Sequence, residues 1–346
     1  MSQSQLSKRT AENQGPGALL ALVRGKWVCQ AIYVAAELGI ADLLHGAPKS
    51  AEQIADLVGA SEDAVFRLLR ALASLGLFST LPGRRFALTP FGNYLRSDVP
   101  GSARDYARYA GHDFTWRPWG ALSYSIRTGK PGFDHVFGMD VFQYLREHSD
   151  VATVFNGAMT SIGVLEAEAI TAAYDFDRVG TLVEIGGGNG LLLATIAKAN
   201  QDLNGVLLEL PHAIESATAL FQREGAADRC RAVAGDFFES VPVAGDAYLM
   251  KKVIHDWDDE RAHRILANCC LVMKPGDKLL VIERVLASGD APDPAEFLDL
   301  EMLVLTGGGR ERTEEEYREL YARAGFELTR IIQTTSPMSI IEGFKT

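Results

Sequence analysis

What this 346-residue chain lacks narrows its function first. No apolar run approaches the roughly 20 residues that cross a bilayer, so a membrane protein is not expected. The first stretch, residues 1–17, is polar, carries no signal-peptide core and reads as a disordered tail. Cysteine is scarce: Cys29, Cys230, Cys269 and Cys270 are all there is. Two of them are adjacent and none forms a Cys-x-x-Cys pair, which argues against a disulfide framework and a cysteine-rich zinc site. A reducing cytoplasm is the simplest setting for such a chain. The histidines include no His-x-x-x-His pair, so no metal is expected. Basic charge is also short. The net charge is -11, and the excess of acid lies beyond residue 110, whereas a nucleic-acid reader wants a basic track.

Two domains suit this length. Residues 17–45 carry apolar positions at helical spacing (Leu19, Leu20, Val23, Trp27, Ile32, Ala35, Leu38), halted at Gly39. Ser50 then caps a helix through Leu57, with Gln53 placed for a capping box. Ser61 caps the next, whose apolar stripe is Val65, Leu68, Leu69, Leu72 and Leu75. Phe78 to Leu81 and Arg85 to Thr89, around Pro82-Gly83, read as a hairpin. Two helices and a hairpin make a winged-helix domain over residues 18–110. Such domains often enter the DNA major groove. Here the second helix mixes Arg67 and Arg70 with Glu62 and Asp63, so a dimerising role is expected and a DNA-binding regulator is the alternative. The apolar opening helix offers surface for a homodimer.

Residues 111–346 form the larger domain. Its first part is dense in aromatics, from Phe114 and Trp116 to Phe155. These residue types build cores and also line pockets for aromatic small molecules. Phe155, Asn156 and Met159, at helical spacing with mixed chemistry, are the substrate-side candidates. From Thr181 strands alternate with helices, the pattern of an α/β fold with a mostly parallel, Rossmann-like sheet. Ligands of such sheets bind beyond the carboxyl ends of the strands.

The chemistry-bearing residues fall at those ends. Glu184-Ile-Gly-Gly-Gly-Asn-Gly190 joins a strand to a helix, and its glycines let backbone approach a ligand. It is not the dinucleotide fingerprint: six positions from Gly186 stands Leu191, and six from Gly188 stands Leu193. Glu184 suits a ligand with positive charge, such as an ammonium and a sulfonium, better than a pyrophosphate. Glu209, ending the next strand, can accept from both ribose hydroxyls. Gly235-Asp236-Phe237 follows the third strand, where Asp236 suits an adenine amino group and Phe237 the ring face. Adenosine without a phosphate site points to S-adenosyl-L-methionine. After the fourth strand, Lys251 and His255 stand four apart, a spacing that one helical turn would bring to one side. His255 can take the proton of a phenol as it attacks a sulfonium methyl. Glu283 at the end of the fifth strand, and Glu311 after Gly307-Gly-Gly309, can hold its tautomer. The glycines make the Glu311 segment a flexible loop able to fold over the site.

These motifs resemble the plant and bacterial small-molecule O-methyltransferases that carry an N-terminal winged-helix dimerisation domain. The resemblance runs from about residue 18 to the end. It rests on Leu182-Val-Glu-Ile-Gly-Gly-Gly-Asn-Gly190, Leu208-Glu-Leu-Pro211, Gly235-Asp-Phe-Phe238, Lys251-Lys-Val-Ile-His-Asp-Trp257 and Gly308-Gly-Arg-Glu-Arg-Thr313. It implies a seven-stranded methyltransferase sheet, a homodimer and S-adenosylmethionine as donor. Glu184, Gly186, Gly188, Glu209, Leu210, Gly235, Asp236, Phe237 and Lys251 are then cofactor contacts. His255 is the base, supported by Glu283 and Glu311. Asp256, Trp257, Asp299 and Met302 flank the acceptor. The family pattern usually has aspartate where Glu209 stands, a longer side chain with the same two acceptors. The acceptor implied is an aromatic hydroxyl of a bacterial secondary metabolite such as a polyketide or phenazine. The rival readings are another reaction on the same cofactor, hydroxylation or decarboxylation, and a nicotinamide dehydrogenase.

Overall fold

A computed structural model describes residues 15–287, 293 and 295–346. The expected tail therefore lies, through residue 14, outside the described residues. The chain divides into two compact units, one running to Trp116 with Thr153–Ser161 added, the other comprising Arg117–Ala152 and Ile162–Thr346.

In the first unit, α1 (Pro16–Val23) and α2 (Gly25–Glu37) follow one another directly. Together they are long and apolar enough to cross a membrane, which corrects the expectation that no segment approaches that length. Arg24 and Lys26 interrupt the apolar letters, but the helical path continues past them. Most of this surface is bare: Leu19, Leu20, Leu22, Val23 and Trp27 are exposed. Gly39, at φ 62°, ends the run ahead of the short α3 (Ile40–Leu43). After β1 (Lys49–Ser50), α4 (Ala51–Val58) opens on the full capping box of Ser50 and Gln53. At α5 (Glu62–Ser74) Ser61 is the cap residue but its side chain makes no capping bond. Val65, Leu69 and Leu72 are buried as the stripe required, while Leu75 stays exposed. The hairpin pairs β2 (Phe78–Leu81) with β3 (Arg85–Leu88), and β1 joins on the far side of β3.

Five short helices follow: α6 (Arg104–Gly111), α7 (Asp113–Gly120), α8 (Leu122–Thr128), α9 (Gly132–Phe137) and α10 (Val141–Glu147). The 25-residue α11 (Ser149–Ala173) comes next and contributes to both units.

The second unit is built on β4 (Thr181–Ile185), β5 (Asn204–Glu209), β6 (Cys230–Ala234), β7 (Ala247–Lys251), β8 (Lys278–Glu283), β11 (Phe326–Gln333) and β12 (Ser339–Lys345). Between β8 and β11 the short β9 (Val285–Leu286) pairs in parallel with β10 (Arg312–Thr313). The large sheet has the order β11-β12-β8-β7-β4-β5-β6, parallel except at β12, which is antiparallel to both of its neighbours. Its helices are α12 (Leu191–Ala199), α13 (Ile214–Arg223), α14 (Asp259–Val272), α15 (Ala295–Leu305) and α16 (Glu314–Arg323).

Both faces of the sheet are covered, so its strands read as apolar runs whose alternate residues feed two cores. Leu182, Leu207, Leu249, Leu280 and Ile282 enter one core with Leu193, Ile196 and Ile170. Val183, Leu208, Tyr248, Met250 and Val281 enter the other with Ile265, Leu266 and Tyr317. Each fully buried aliphatic or aromatic side chain there contributes about 1.5–3 kcal/mol. The same period of two decides where the terminal charged residues point.

Candidate active site

The order reverses at β4, which lies between β5 and β7, and the candidate residues gather at the carboxyl ends of these strands. On β4, Glu184 follows Leu182 onto the same face and is 1% exposed. The chain then turns through Gly186, Gly188 and Gly190 at φ 67°, 61° and 75°, left-handed backbone that glycine adopts without strain. A side chain at Gly187 would meet the Glu184 carboxyl carbon at 2.3 Å. One at Gly186 would meet Val253 at 2.9 Å and the Phe237 ring at 3.3 Å. The loop is therefore held between Glu184 and Phe237, and it leads directly into α12.

Glu184 Oε2 has no hydrogen-bond partner among the described residues. Burial pushes its carboxyl up to about 8, against the opposing pull of Lys251 and the Leu193 amide. An unpaired acid here fits a ligand that brings its own positive charge and N–H donors. Glu209 ends β5, where its Oε2 accepts the Gly188 N–H at 2.9 Å and its Oε1 the Leu210 N–H at 2.7 Å. Glu209 thus braces the glycine loop, and each oxygen keeps a lone pair for a further donor. After β6, the Gly235 N–H donates to the Glu209 carbonyl at 3.0 Å. Asp236 Oδ1 accepts the Phe238 N–H at 2.8 Å, and Asn268 holds the Phe237 carbonyl at 2.8 Å.

Lys251 ends β7 on the face of Ala247 and Leu249. Its ammonium pairs with Glu166 Oε2 of α11 at 2.9 Å, and Lys252 takes the other oxygen at 2.6 Å. Burial raises the Glu166 carboxyl, but the two ammonium groups outweigh burial and hold it below its ordinary value. Lys252 sits at φ 54°, so the chain leaves the strand abruptly, and Ile254–Asp256 form a short 3-10 turn. This corrects the expected helical turn from Lys251 to His255. The strand carries Lys251 toward Glu166, and the left-handed step redirects His255 to different partners.

His255 is buried. Its Nδ1 lies 2.7 Å from Glu311 Oε1 and 3.5 Å from Glu283 Oε2. Nε2 has no hydrogen bond within the described residues, and Asp256 Oδ1 stands 3.7 Å from it. Glu283 shares the face of Leu279 and Val281. Its Oε1 accepts the N–H groups of Val253, Ile254 and His255 at 3.0, 3.0 and 3.4 Å. Burial works against a charged imidazole, but Glu283, then Glu311 and Asp256, outweigh it and push His255 up to about 10. Burial raises Asp256 to about 6, with His255 pulling the other way. Burial likewise raises Glu283, against the pull of His255. Donor atoms of His255, Glu283 and Glu311 lie within 4.8 Å of one another, a spacing that also suits an ion. At 2.7 Å, however, Nδ1 and Glu311 stand at hydrogen-bonding distance of one another.

The Gly307–Gly309 segment is not the flexible lid that its composition suggests. The Arg310 N–H donates to the His255 carbonyl at 2.8 Å, and the Glu311 N–H donates to Asp299 Oδ1 at 2.8 Å. A side chain at Gly309 would strike Thr306 at 2.1 Å and the His255 carbonyl at 2.6 Å. At Gly309, then, glycine serves close packing.

Among the substrate-side candidates, Trp257 stacks on Phe142 with ring centroids 5.4 Å apart and meets Phe238 edge-on at 4.8 Å. Asp299 and Met302 lie on α15, with Met302 buried and Asp299 engaged by the Glu311 amide. Phe155, Asn156 and Met159 belong to the first unit, where Phe155 packs edge-on to Tyr109 and Phe114 at 6.0 and 6.2 Å. They are not among the residues gathered at His255 within the second unit. Sequence reasoning missed Glu166, Lys252 and Arg312. The one available signal for Glu166 was an acid set in an apolar helical run beside Ala167 and Ile170.

This fold and site define a class: an α/β protein that gathers buried acids and a buried histidine at the carboxyl ends of a mostly parallel sheet. Patterns for the O-methyltransferase domain and the O-methyltransferase dimerisation domain match residues 119–327 and 20–98. A phenazine O-methyltransferase of Lysobacter antibioticus is 40% identical over 337 residues, covering 96% of this chain and 98% of the relative. The solved mitomycin 7-O-methyltransferase superposes with TM-score 0.89 at 37% identity, over 99% of this chain and 100% of the other. An O-methyltransferase from neocarzinostatin biosynthesis, solved with S-adenosylmethionine and a naphthoic acid, gives 0.80 at 33% identity, over 92% and 96%. The chain belongs to the O-methyltransferase family, with S-adenosylmethionine as its methyl donor and the family's dimerisation domain ahead of the catalytic one.

Proposed function

We propose that the acceptor is a hydroxyl on an aromatic natural product and that His255 is the base that receives its proton. The observation that carries this is the buried His255–Glu311 hydrogen bond, which fixes the proton on Nδ1 and leaves Nε2 available. S-adenosylmethionine supplies the electrophilic methyl group. Glu184, Glu209, Asp236, Phe237 and Lys251 hold and orient the donor. His255 has a proton affinity near that of a phenol, so a phenol brought to Nε2 surrenders its proton or arrives ionised beside the imidazolium. In both cases the nucleophile is the phenolate. Glu311 and Glu283 stabilise the imidazolium in the manner of a carboxylate behind a base. Asp256, whose Oδ1 stands near Nε2, together with Trp257 and with Asp299 and Met302 on α15, borders the acceptor's side.

The relatives named above act on a phenazine and a mitomycin, and the third was solved with a naphthoic acid. Their shared chemistry is a flat, fused, oxygenated ring system, and the aromatic lining around Trp257 suits it. We also assign the bare faces of α1 and α2 to a homodimer contact, since exposed apolar surface of this extent is covered in stable proteins.

The test is a panel of phenolic phenazines, naphthoates and quinones incubated with labelled S-adenosylmethionine. S-Adenosylhomocysteine and an O-methyl product, formed together and only with acceptor present, support the assignment. Donor binding without methylated product across the whole panel would overturn it.

A further inference from the structure

The geometry points to Arg312 as a positioning residue for the methyl-transfer base. Among the described residues it stands first by volume of the fully buried side chains, and its charge plays no part in the chemistry assigned above. Its guanidinium is spent on the turn that carries His255. Nη1 donates to the Ile254 carbonyl at 3.1 Å and Nη2 to the Trp257 carbonyl at 2.8 Å. These carbonyls flank His255 and Asp256 on either side. Nε and Nη2 both reach Asp259 Oδ1, at 3.0 and 2.8 Å, at the first residue of α14. A fifth contact runs from Nη1 to the Arg310 carbonyl at 3.5 Å.

The chemistry of the donor set explains the residue type. A short turn between a strand and a helix leaves carbonyls that neither element satisfies, and they diverge in direction. A planar fork with five N–H donors serves two carbonyls and a carboxylate at once, which an ammonium on a flexible stem does not. The position in sequence adds a second constraint. Arg312 directly follows Glu311, whose carboxylate holds the His255 ring, and Arg310 holds the His255 carbonyl through its own N–H. One tripeptide thus fixes the base by its ring, its own carbonyl and the carbonyls on both sides of its turn. With the turn released, Nδ1 would drift from Glu311 and Glu283, and the imidazole would lose proton affinity as well as aim.

This inference rests on His255 as the base, so the experiment separates the two. Arg312→Lys keeps the charge and loses the fork, and Asp259→Asn removes the charge of the fork's outer anchor at a more exposed site. His255→Gln is assayed beside them. The expected result is a 10- to 100-fold fall in kcat for Arg312→Lys and a smaller fall for Asp259→Asn. KM for S-adenosylmethionine should be unchanged, and the ascending limb of the pH–rate profile should move to lower pH in both. Wild-type kcat and pH profile in folded Asp259→Asn and Arg312→Lys, with His255→Gln inactive, would overturn the role of Arg312 alone. If Arg312→Lys does not fold, Asp259→Asn decides by the same two readouts. Full turnover in His255→Gln would overturn the base assignment, and this inference with it.

Discussion

Nδ1 of His255 and Oε1 of Glu311 lie 2.7 Å apart in a buried pocket, although 56 residues separate them along the chain. The carboxylate cannot serve as acceptor unless Nδ1 carries the hydrogen, so Nε2 is the nitrogen left for an incoming proton. Removing the imidazole should leave donor binding near its wild-type value while methyl transfer falls by about 10²–10⁴. Calorimetric titration of His255→Ala with S-adenosylhomocysteine, beside single-turnover rates, checks both halves.

Glu311→Gln tests the pair from the other side. The amide keeps the shape but removes one of the groups that raise His255, so the imidazole's proton affinity should drop. The sign follows directly: the group now sheds its proton at lower pH, and the ascending limb of kcat/KM against pH moves toward acid. The plateau should fall by about 10- to 100-fold, because the imidazolium formed during transfer is less well held. An unshifted limb would mean that Glu311 does not control the titration.

Glu184 predicts an effect on stability instead. Its carboxyl goes from 4.5 when exposed to about 8 when buried, so the folded protein retains a proton that the unfolded chain releases. Its contribution is complete below pH 4.5 and is lost as pH rises to about 8. Glu184→Gln does not titrate, so without donor its melting temperature should gain on the wild type across that window and stay level above it. The same variant should bind S-adenosylmethionine more weakly. Thermal melts at pH 5, 6.5 and 8.5, with and without donor, measure both.

Gly309→Ala is predicted to be more harmful than an ordinary loop substitution. The added methyl meets Thr306 and the His255 carbonyl well inside van der Waals contact, and neither neighbour is the free end of a long side chain. The segment must shift, taking Glu311 with it. A fall in kcat with only a modest loss of melting temperature is expected. Gly307→Ala, where an added methyl stands 3.7 Å from Arg261, should be nearly silent.

For the homodimer, Leu20→Glu with Trp27→Glu puts charge on the bare face of α1 and α2. Sedimentation velocity should then report monomers at concentrations where the wild type is dimeric. A dimer that survives both changes would place the contact elsewhere.

Local rules carried much of the architecture. The capping box at Ser50, the start of α12 after Gly190 and the antiparallel closure by β11 and β12 all follow from nearby residues or from period-two alternation. The gathering of His255, Glu283 and Glu311 was readable because each follows a strand or a glycine motif. What escaped depends on partners far apart in sequence. Glu166 lies 85 residues before Lys251, and nothing local to either announces the pair. Arg312 resembles any charged residue at the edge of a helix until Ile254 and Trp257 are seen to present carbonyls to it. The left-handed Lys252 was illegible for another reason: a lysine gives no local sign of positive φ, and only the packing around it requires that conformation. Loop glycines misled in the opposite sense, since close approach and freedom to move call for the same residue.

Glu283 gathers three consecutive amides from Val253 to His255 onto one oxygen at the end of a central strand. His255, proposed above as the proton acceptor, is thereby anchored to the scaffold, while Phe142 of α10 brings an aromatic ring against Trp257. On the proposed assignment of His255, such an enzyme changes its repertoire by altering α8 to α10, with no need to retune the base for each new phenol. A chimera that exchanges α8 to α10 with those of a relative should inherit that relative's choice of hydroxyl while keeping this chain's own pH–rate profile.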